Sequence, residues 1–393
     1  MFKYQSYLKV DLDKLKHNYK EIKNISNLVK MCAVVKANAY GQGAAFITKE
    51  LEYLGIDYFA VSNINEALEL RKNGIFKPIM ILGYISNENI EVAIKNNIEL
   101  TVYDYETAVE INNVAKSLNK ICKVHIKIDT GMTRLGFQVR LDKDKCLEEI
   151  FKIYKMDNVV LQGIYSHFSD ADSEDYSYTK EQYNTYIGFM IDVENRGITV
   201  PIKHIANDAG AIIHGYFLDM IRCGIGLYGY HASDYVRENS RLNLEEISSL
   251  YTTVSMIKTV PKGTDIGYGR TFTTNSETVV ATATIGYADG YPLELSNKAY
   301  VIINGKKAKI LGKVCMDQIM IDVSFIRDVK VGDKVLLFGK DDMGEISLYD
   351  LAEMANTNVY ELLCRVTMRI PRIYTRNGKV VEVCDYLQKI NWS

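Results

Sequence analysis

A chain of 393 residues is too long for one ordinary domain, so two domains are expected. With 47% hydrophobic and 24% charged residues it has the makeup of a globular protein, and a formal net charge of −2 gives no electrostatic reason to expect nucleic acid or an anionic membrane as partner. The seven cysteines form no C-x-x-C pair, which speaks against a metal site or a disulfide framework and suits a reducing cytoplasm. Met1–Phe2–Lys3–Tyr4 leads straight into charged, amphipathic sequence, so no secretory signal is expected, and no apolar run has the length of a membrane span.

Residues 8–12 alternate like a short strand, and Asp11 or Asp13 can cap a helix running to about Asn27. An alternation then sets in. Strands are predicted at 31–35, 58–61, 79–82, 100–103, 124–128, 159–166, 202–206 and 220–225. Helices fall between them at 44–54, 65–73, 87–97, 106–118, within 131–157 and at 178–195. Eight strands separated by helices are what a (β/α)8 barrel of the TIM type needs, and a doubly wound open sheet has the same periodicity. Beyond about residue 245 the pattern changes to strands at 250–260, 279–286, 300–303, 308–311, 320–323 and 334–338, with one helix near 348–356. Asn304–Gly305 is a strong hairpin signal. The expected class is therefore α/β, with a barrel over 1–245 and a mostly β domain over 246–393.

A barrel places its chemistry at the carboxyl ends of its strands. Lys36 closes the first, directly after the buried-looking Val34–Val35. A lysine there is rarely without a partner or a task. Lys127 to Arg134 close the fifth, His167 the sixth, His204 to Asp208 the seventh, and Arg222 to Gly226 the eighth. A lysine amine is easier to deprotonate beside other cations, and a neutral amine can condense with an aldehyde. Pyridoxal phosphate is the common biological aldehyde of this kind and an electron sink for carbanions. Its phosphate would need backbone N–H donors, which Gly224–Ile225–Gly226 could supply, although on the glycines alone a close turn is the preferred reading.

The motifs A-V-V-K-A-N-A-Y-G-Q-G (33–43), K-I-D-T-G-M-T-R-L-G (127–136), H-F-S-D-A-D (167–172) and H-I-A-N-D-A-G (204–210) are followed by R-C-G-I-G-L-Y-G (222–229). I-G-Y-G-R-T-F (266–272), I-G-Y-A-D-G-Y-P (285–292) and G-K-V-C-M-D-Q (312–318) complete the set. In this order they resemble the alanine racemase family over essentially the whole chain.

The resemblance implies an N-terminal (β/α)8 barrel, a C-terminal β domain that takes in the first short strand, and a head-to-tail homodimer with shared active sites. It implies that Lys36 carries pyridoxal 5′-phosphate and is one catalytic base, and that Tyr268 from the other subunit is the second. Tyr40, Gly224 and Ile225 would bind the phosphate, with Asn207 and Asp208 also among the cofactor-binding residues. Arg222, with His167 behind it, would face the pyridine nitrogen. Arg134 would contact the ring hydroxyl and the substrate carboxylate, with Tyr287 and the backbone N–H of Met316 also on that carboxylate. Lys127 matches a position that is carbamylated in many members. The implied substrate is L- or D-alanine, with D-alanine going to peptidoglycan. Serine, as in the soluble half of membrane-anchored racemases linked to vancomycin resistance, or a larger amino acid is the alternative. A binding protein without turnover, or a decarboxylase on the same barrel, fits less well, because Tyr268 supplies the second base that a racemase needs.

The chain departs from the family pattern at two positions of chemical weight. Asp208 stands where a serine or threonine usually donates to the phosphate, and is expected to contribute its backbone N–H alone, since a carboxylate repels a phosphate unless protonated or turned away. Met368, in C-R-V-T-M-R-I-P-R, replaces a tyrosine that bonds the phosphate and narrows the substrate pocket; methionine donates no hydrogen bond and is flexible. Near the entrance, Leu293 and Lys313 replace common arginines.

Overall fold

A computed structural model describes residues 4–26 and 29–388. The chain forms two compact units. One comprises Lys16–Ala39 and Ala44–Glu245; the other comprises the described residues up to Leu15, Tyr40–Gly43 and the chain from Glu246 onward. Strand β1 (Tyr7–Asp11) belongs to the second unit. The Asp11 carboxylate accepts from the N–H groups of Asp13 and Lys14 and so caps the helix Leu12–Ile25. The expected helix end at Asn27 lies outside the described residues.

The first unit contains β2 (Lys30–Val34), β3 (Tyr58–Val61), β4 (Ile79–Ile81), β5 (Ile98–Val102), β6 (Cys122–Lys127), β7 (Val159–Tyr165), β8 (Ile202–His204) and β9 (Met220–Cys223). They read as short apolar runs, buried on both faces, because helices cover the outside and side chains fill the inside. All pairings are parallel, in the order β8-β7-β6-β5-β4-β3-β2-β9. The seam between β8 and β9 carries no ladder, but single bonds cross it: the N–H of Asp219 donates to the carbonyl of Lys203 (3.0 Å) and that of Arg222 to the carbonyl of Ala206 (3.1 Å). The sheet is thus a nearly closed eight-stranded barrel, and the open-sheet alternative is excluded. Asn63, Asp104 and Asp142 cap the helices that follow them, through side-chain oxygens that accept from Glu66, Thr107 and Lys145.

The second unit contains β10 (Ser248–Val260), the short ribbon β11 (Asp265–Ile266) and β12 (Phe272–Thr273), then β13 (Thr278–Ala283), β14 (Tyr300–Ile303), β15 (Lys306–Leu311), β16 (Ile319–Asp322), β17 (Lys334–Asp341), β18 (Gly344–Ile346), β19 (Arg372–Arg376) and β20 (Lys379–Cys384). The pairings β17-β14-β15-β16-β13-β10, with β10 returning to β17, close a six-stranded antiparallel ring. Asn304 and Gly305 both take positive φ (48° and 74°), as a tight hairpin between β14 and β15 demands. β1 pairs antiparallel with β10 and parallel with β19, so the first strand joins this unit. The helix Val359–Arg365 and the strands β11, β12, β18, β19 and β20 have no counterpart in the predicted pattern; each is short, and of these strands β19 also pairs with the distant β1. Among the described residues no helix is long and apolar enough to cross a membrane.

Candidate functional site

At the carboxyl end of β2 the chain enters a left-handed turn: Ala37, Asn38, Ala39 and Tyr40 have φ of 51°, 56°, 52° and 53°. L-residues pay roughly 1–2 kcal/mol each for this region, so the surroundings must hold it. Glu66 does so from the helix Ile64–Lys72, its carboxylate accepting from the N–H of Ala37 (2.7 Å) and of Ser62 (2.8 Å). Asn38 accepts from the N–H of Ala44, at the start of the helix Ala44–Leu54. Lys36 thus opens a braced turn.

The ends of β6, β7, β8 and β9 bring further groups to the same place. Arg222 on β9 is buried, and both Nη atoms of its guanidinium are hydrogen-bonded. Nη1 donates to Nδ1 of His204 (2.8 Å); Nη2 donates to Nδ1 of His167 (2.9 Å) and to the carbonyls of Ser166 (2.8 Å) and Ile205 (2.9 Å). Its Nε has no partner among the described residues. Burial, then Arg222, Lys127, Arg134 and Lys36, push the His167 imidazole well below its ordinary range, so it is neutral. Four basic side chains, Arg222, Lys127, Arg134 and Lys36, thus act on this one ring at one end of the barrel. Lys127 is buried, and burial, Arg222 and Arg134 depress its ammonium well below the usual range, against the pull of Asp129.

Behind Arg222 runs a buried chain that sequence reasoning missed. An arginine only donates, so Nδ1 of His204 accepts, and the neutral ring carries its proton on Nε2. That Nε2–H meets Nδ1 of His125 (3.1 Å), and Nε2 of His125 then donates to the carboxylate of Glu99 (2.9 Å). Burial and Arg222 keep His204 neutral. Arg222 therefore touches only lone pairs of neutral groups, and the anion lies two imidazoles away. The available signal was a glutamate inside the apolar run I-E-L-T-V and a histidine in V-H-I-K, each at a strand position with no water.

The loops after β8 and β9 form a second feature. Asn207 spends its side-chain oxygen on the N–H of Gly210 (3.0 Å), capping a short helix. The Asp208 carboxylate is not turned away from the glycines. It accepts from the N–H of Gly224 (2.8 Å) and of Gly226 (3.3 Å). The expectation that Asp208 offers its backbone alone is corrected by this geometry.

In the second unit, Tyr40 is buried with its ring 6.0 Å from that of Tyr360. Tyr268 lies in the turn of the β11–β12 ribbon, 72% exposed. Three further loops are bound to one another. Ala288 N–H donates to the carbonyl of Met316 (3.0 Å), Thr367 N–H to that of Asp289 (3.1 Å), and Arg369 bonds Asp317 (2.8 Å). Tyr287, Met316 and Met368 ride on these loops and are exposed, Met368 by 56%. The N–H of Met316 has no partner among the described residues.

These residues fit pyridoxal phosphate at both ends. An arginine Nε without a partner suits a ring nitrogen, a lysine beside cations suits an aldehyde, and a cup of N–H groups that already holds an anion suits a phosphate.

The description "Alanine racemase, N-terminal domain" matches residues 10–232, and "Alanine racemase, C-terminal domain" matches 247–374. The chain is 43% identical to alanine racemase of Clostridium tetani over 97% of its own length and 98% of the relative's. Its fold superimposes on alanine racemase of Clostridium difficile 630 with a TM-score of 0.93 at 39% identity, covering 98% and 100% of the two chains. Alanine racemase of Bacillus anthracis, solved with bound L-Ala-P, gives a TM-score of 0.93 at 37% identity over 99% and 100%.

Proposed function

The chain belongs to the alanine racemase family, and from that premise we propose that Lys36 and Tyr268 of the partner subunit are the two bases that exchange the α-proton on opposite faces of the substrate. The reaction is the interconversion of L- and D-alanine with pyridoxal 5′-phosphate. When bound, the cofactor supplies an aldehyde for the substrate amine and an electron sink for the charge left at the α-carbon. What remains belongs to the protein: inversion requires a proton acceptor on one face and a proton donor on the other.

The observation that carries this reading is the gathering of Lys36, Lys127, Arg134, His167 and Arg222 at one end of the barrel, with neutral acceptors and no carboxylate directly on Arg222. Arg222 would face the ring nitrogen, and a permanent cation there would disfavour its protonation and so limit the electron sink. Arg134, Tyr287 and the Met316 N–H would hold the substrate carboxylate, and Tyr40, Gly224 and Ile225, with Asn207 and Asp208, would hold the cofactor's phosphate end. Lys127 is suited to take up carbon dioxide as a carbamate, since only a neutral amine does so, and the product would give Arg134 an anionic partner. The exposure of Tyr268 supports a homodimer in which this tyrosine completes the neighbour's site. We place the activity in the cytoplasm, supplying D-alanine for peptidoglycan.

Tyr268→Phe tests the two-base assignment. The variant is expected to lose about 10²–10⁴-fold in racemisation, with α-proton exchange from one enantiomer slowed far more than from the other. Solvent-deuterium exchange into L- and D-alanine measures this; equal loss in both directions, with cofactor still bound, would sink the assignment.

Met368 favours serine as a second reading, because an exposed methionine neither donates to a phosphate nor closes a pocket as a tyrosine does. Met368→Tyr is expected to lower the serine-to-alanine rate ratio several-fold, up to about tenfold. A rate panel on L-alanine, L-serine and longer amino acids decides it, and an unchanged ratio removes Met368 from substrate choice.

A further inference from the structure

Phosphate sites in (β/α)8 barrels are commonly built by the loops after the seventh and eighth strands. In this barrel those strands are β8 and β9, and the loops carry Asp208 and Gly224–Ile225–Gly226. Two backbone N–H groups of this loop converge there on one anion, the Asp208 carboxylate, at 2.8 Å from Gly224 and 3.3 Å from Gly226. The fit is close: a Cβ on Gly226 would lie 2.7 Å from Asp208 Oδ1. Asp208 is 7% exposed, so this anion is shielded from water. A cup of this kind satisfies one anion, and a second within bonding distance meets a like charge in a dry place.

We propose that Asp208 is a resident anion in the phosphate cup, and that the cofactor's phosphate enters only when Asp208 gives up its charge, so that cofactor loading is coupled to pH. This rests on the reading that the barrel end holds pyridoxal phosphate. A neutral Asp208 turns from competitor to donor, since its O–H can bond a phosphate oxygen. Burial pushes its carboxyl up to about 6, although the N–H groups of Gly224, Gly226 and Ile225 pull the other way. The titratable group facing it is Cys223 of β9, whose thiol burial and then Asp208 hold well above its ordinary range and therefore neutral; Lys23, on the helix Leu12–Ile25, acts on that thiol in the opposite sense. Below pH about 6 the carboxyl is protonated and the cup accepts phosphate; as pH rises through that value the carboxylate reclaims the cup.

The test is binding to the full-length apoprotein, read by absorbance. Dissociation constants of pyridoxal phosphate and of pyridoxal are measured between about pH 5 and pH 8 for wild type and Asp208→Asn, with Asp208→Ser as the replacement if the Asn variant does not fold. Pyridoxal shares the aldehyde and ring, so the ratio of the two constants isolates the cup, and the Asn variant cancels the phosphate's own ionisation. The wild-type preference for the phosphorylated form is expected to fall, relative to Asp208→Asn, by about tenfold per pH unit above pH ~6. Parallel pH profiles in wild type and variant overturn the proposal while leaving the cofactor reading intact. If the wild type binds neither aldehyde, the cofactor reading fails, and this proposal with it.

Discussion

Lys36→Ala is expected to lower racemisation by about 10⁴-fold or more, with the thermal unfolding midpoint close to wild type. Two tasks converge on this amine, holding the cofactor and moving a proton, and no neighbour replaces either. Arg134 and Arg222 carry guanidinium groups, which are poor proton acceptors, and Lys127 is sealed in the barrel. The fold should tolerate the change, because Lys36 is only partly buried and the left-handed turn after it is braced from outside, by Glu66 on Ala37 and Ser62 and by Asn38 on Ala44. The check is a pair of measurements on one preparation: cofactor absorbance on titration, and α-proton exchange of alanine. Retention of activity within tenfold of wild type would show that another group is the base on that face.

Arg372→Met is expected to cost about 3–5 kcal/mol of stability, read as a shift of the denaturant midpoint at unchanged slope. Arg372 is 0% exposed and meets no carboxylate among the described residues. Its guanidinium donates instead to four carbonyls, of Gly41 (2.9 Å), Thr367 (2.6 Å), Ile370 (2.5 Å) and Val366 (2.7 Å). The methionine fills much of the space but leaves those carbonyls short of a donor, and each such loss costs about 1–3 kcal/mol in a dry interior. Arg372→Lys should recover only part, since a point charge with three donors cannot reproduce a planar fork. The same arginine ties the residue after Tyr40 to the 366–370 segment that carries Met368. Substrate preference should therefore loosen along with stability; a variant as stable as wild type would mean that water replaces the lost donors.

The barrel strands were legible because parallel buried strands read as apolar runs between helices, and because a barrel collects its polar residues at one end. That logic is enough to single out Lys36, Lys127, Arg134, His167 and Arg222 from the residue order. It fails for Glu99 and His125, whose inward positions look like any core position until two strands are placed side by side. It fails also for β11 and β12 around Tyr268, which are two residues each and exist through their mutual pairing. The closed ring of the second unit depends on β10 meeting β17 more than seventy positions later, a pairing that no local pattern carries.

By itself, the order of residues determined the alternation of strands and helices, the change to β structure after residue 245, the family, and the identity of the lysine at the end of the first barrel strand. These are local properties: periodicity, turn chemistry and contiguous motifs. Only the tertiary structure decided that Arg222 is surrounded by neutral imidazoles and carbonyls, and that Asp208 points its carboxylate into the N–H groups of Gly224 and Gly226, sixteen and eighteen positions away. The physical reason is that charge and hydrogen bonding in a dry interior depend on which chain segments are brought within 3 Å of each other, and that is set by the closing of the barrel.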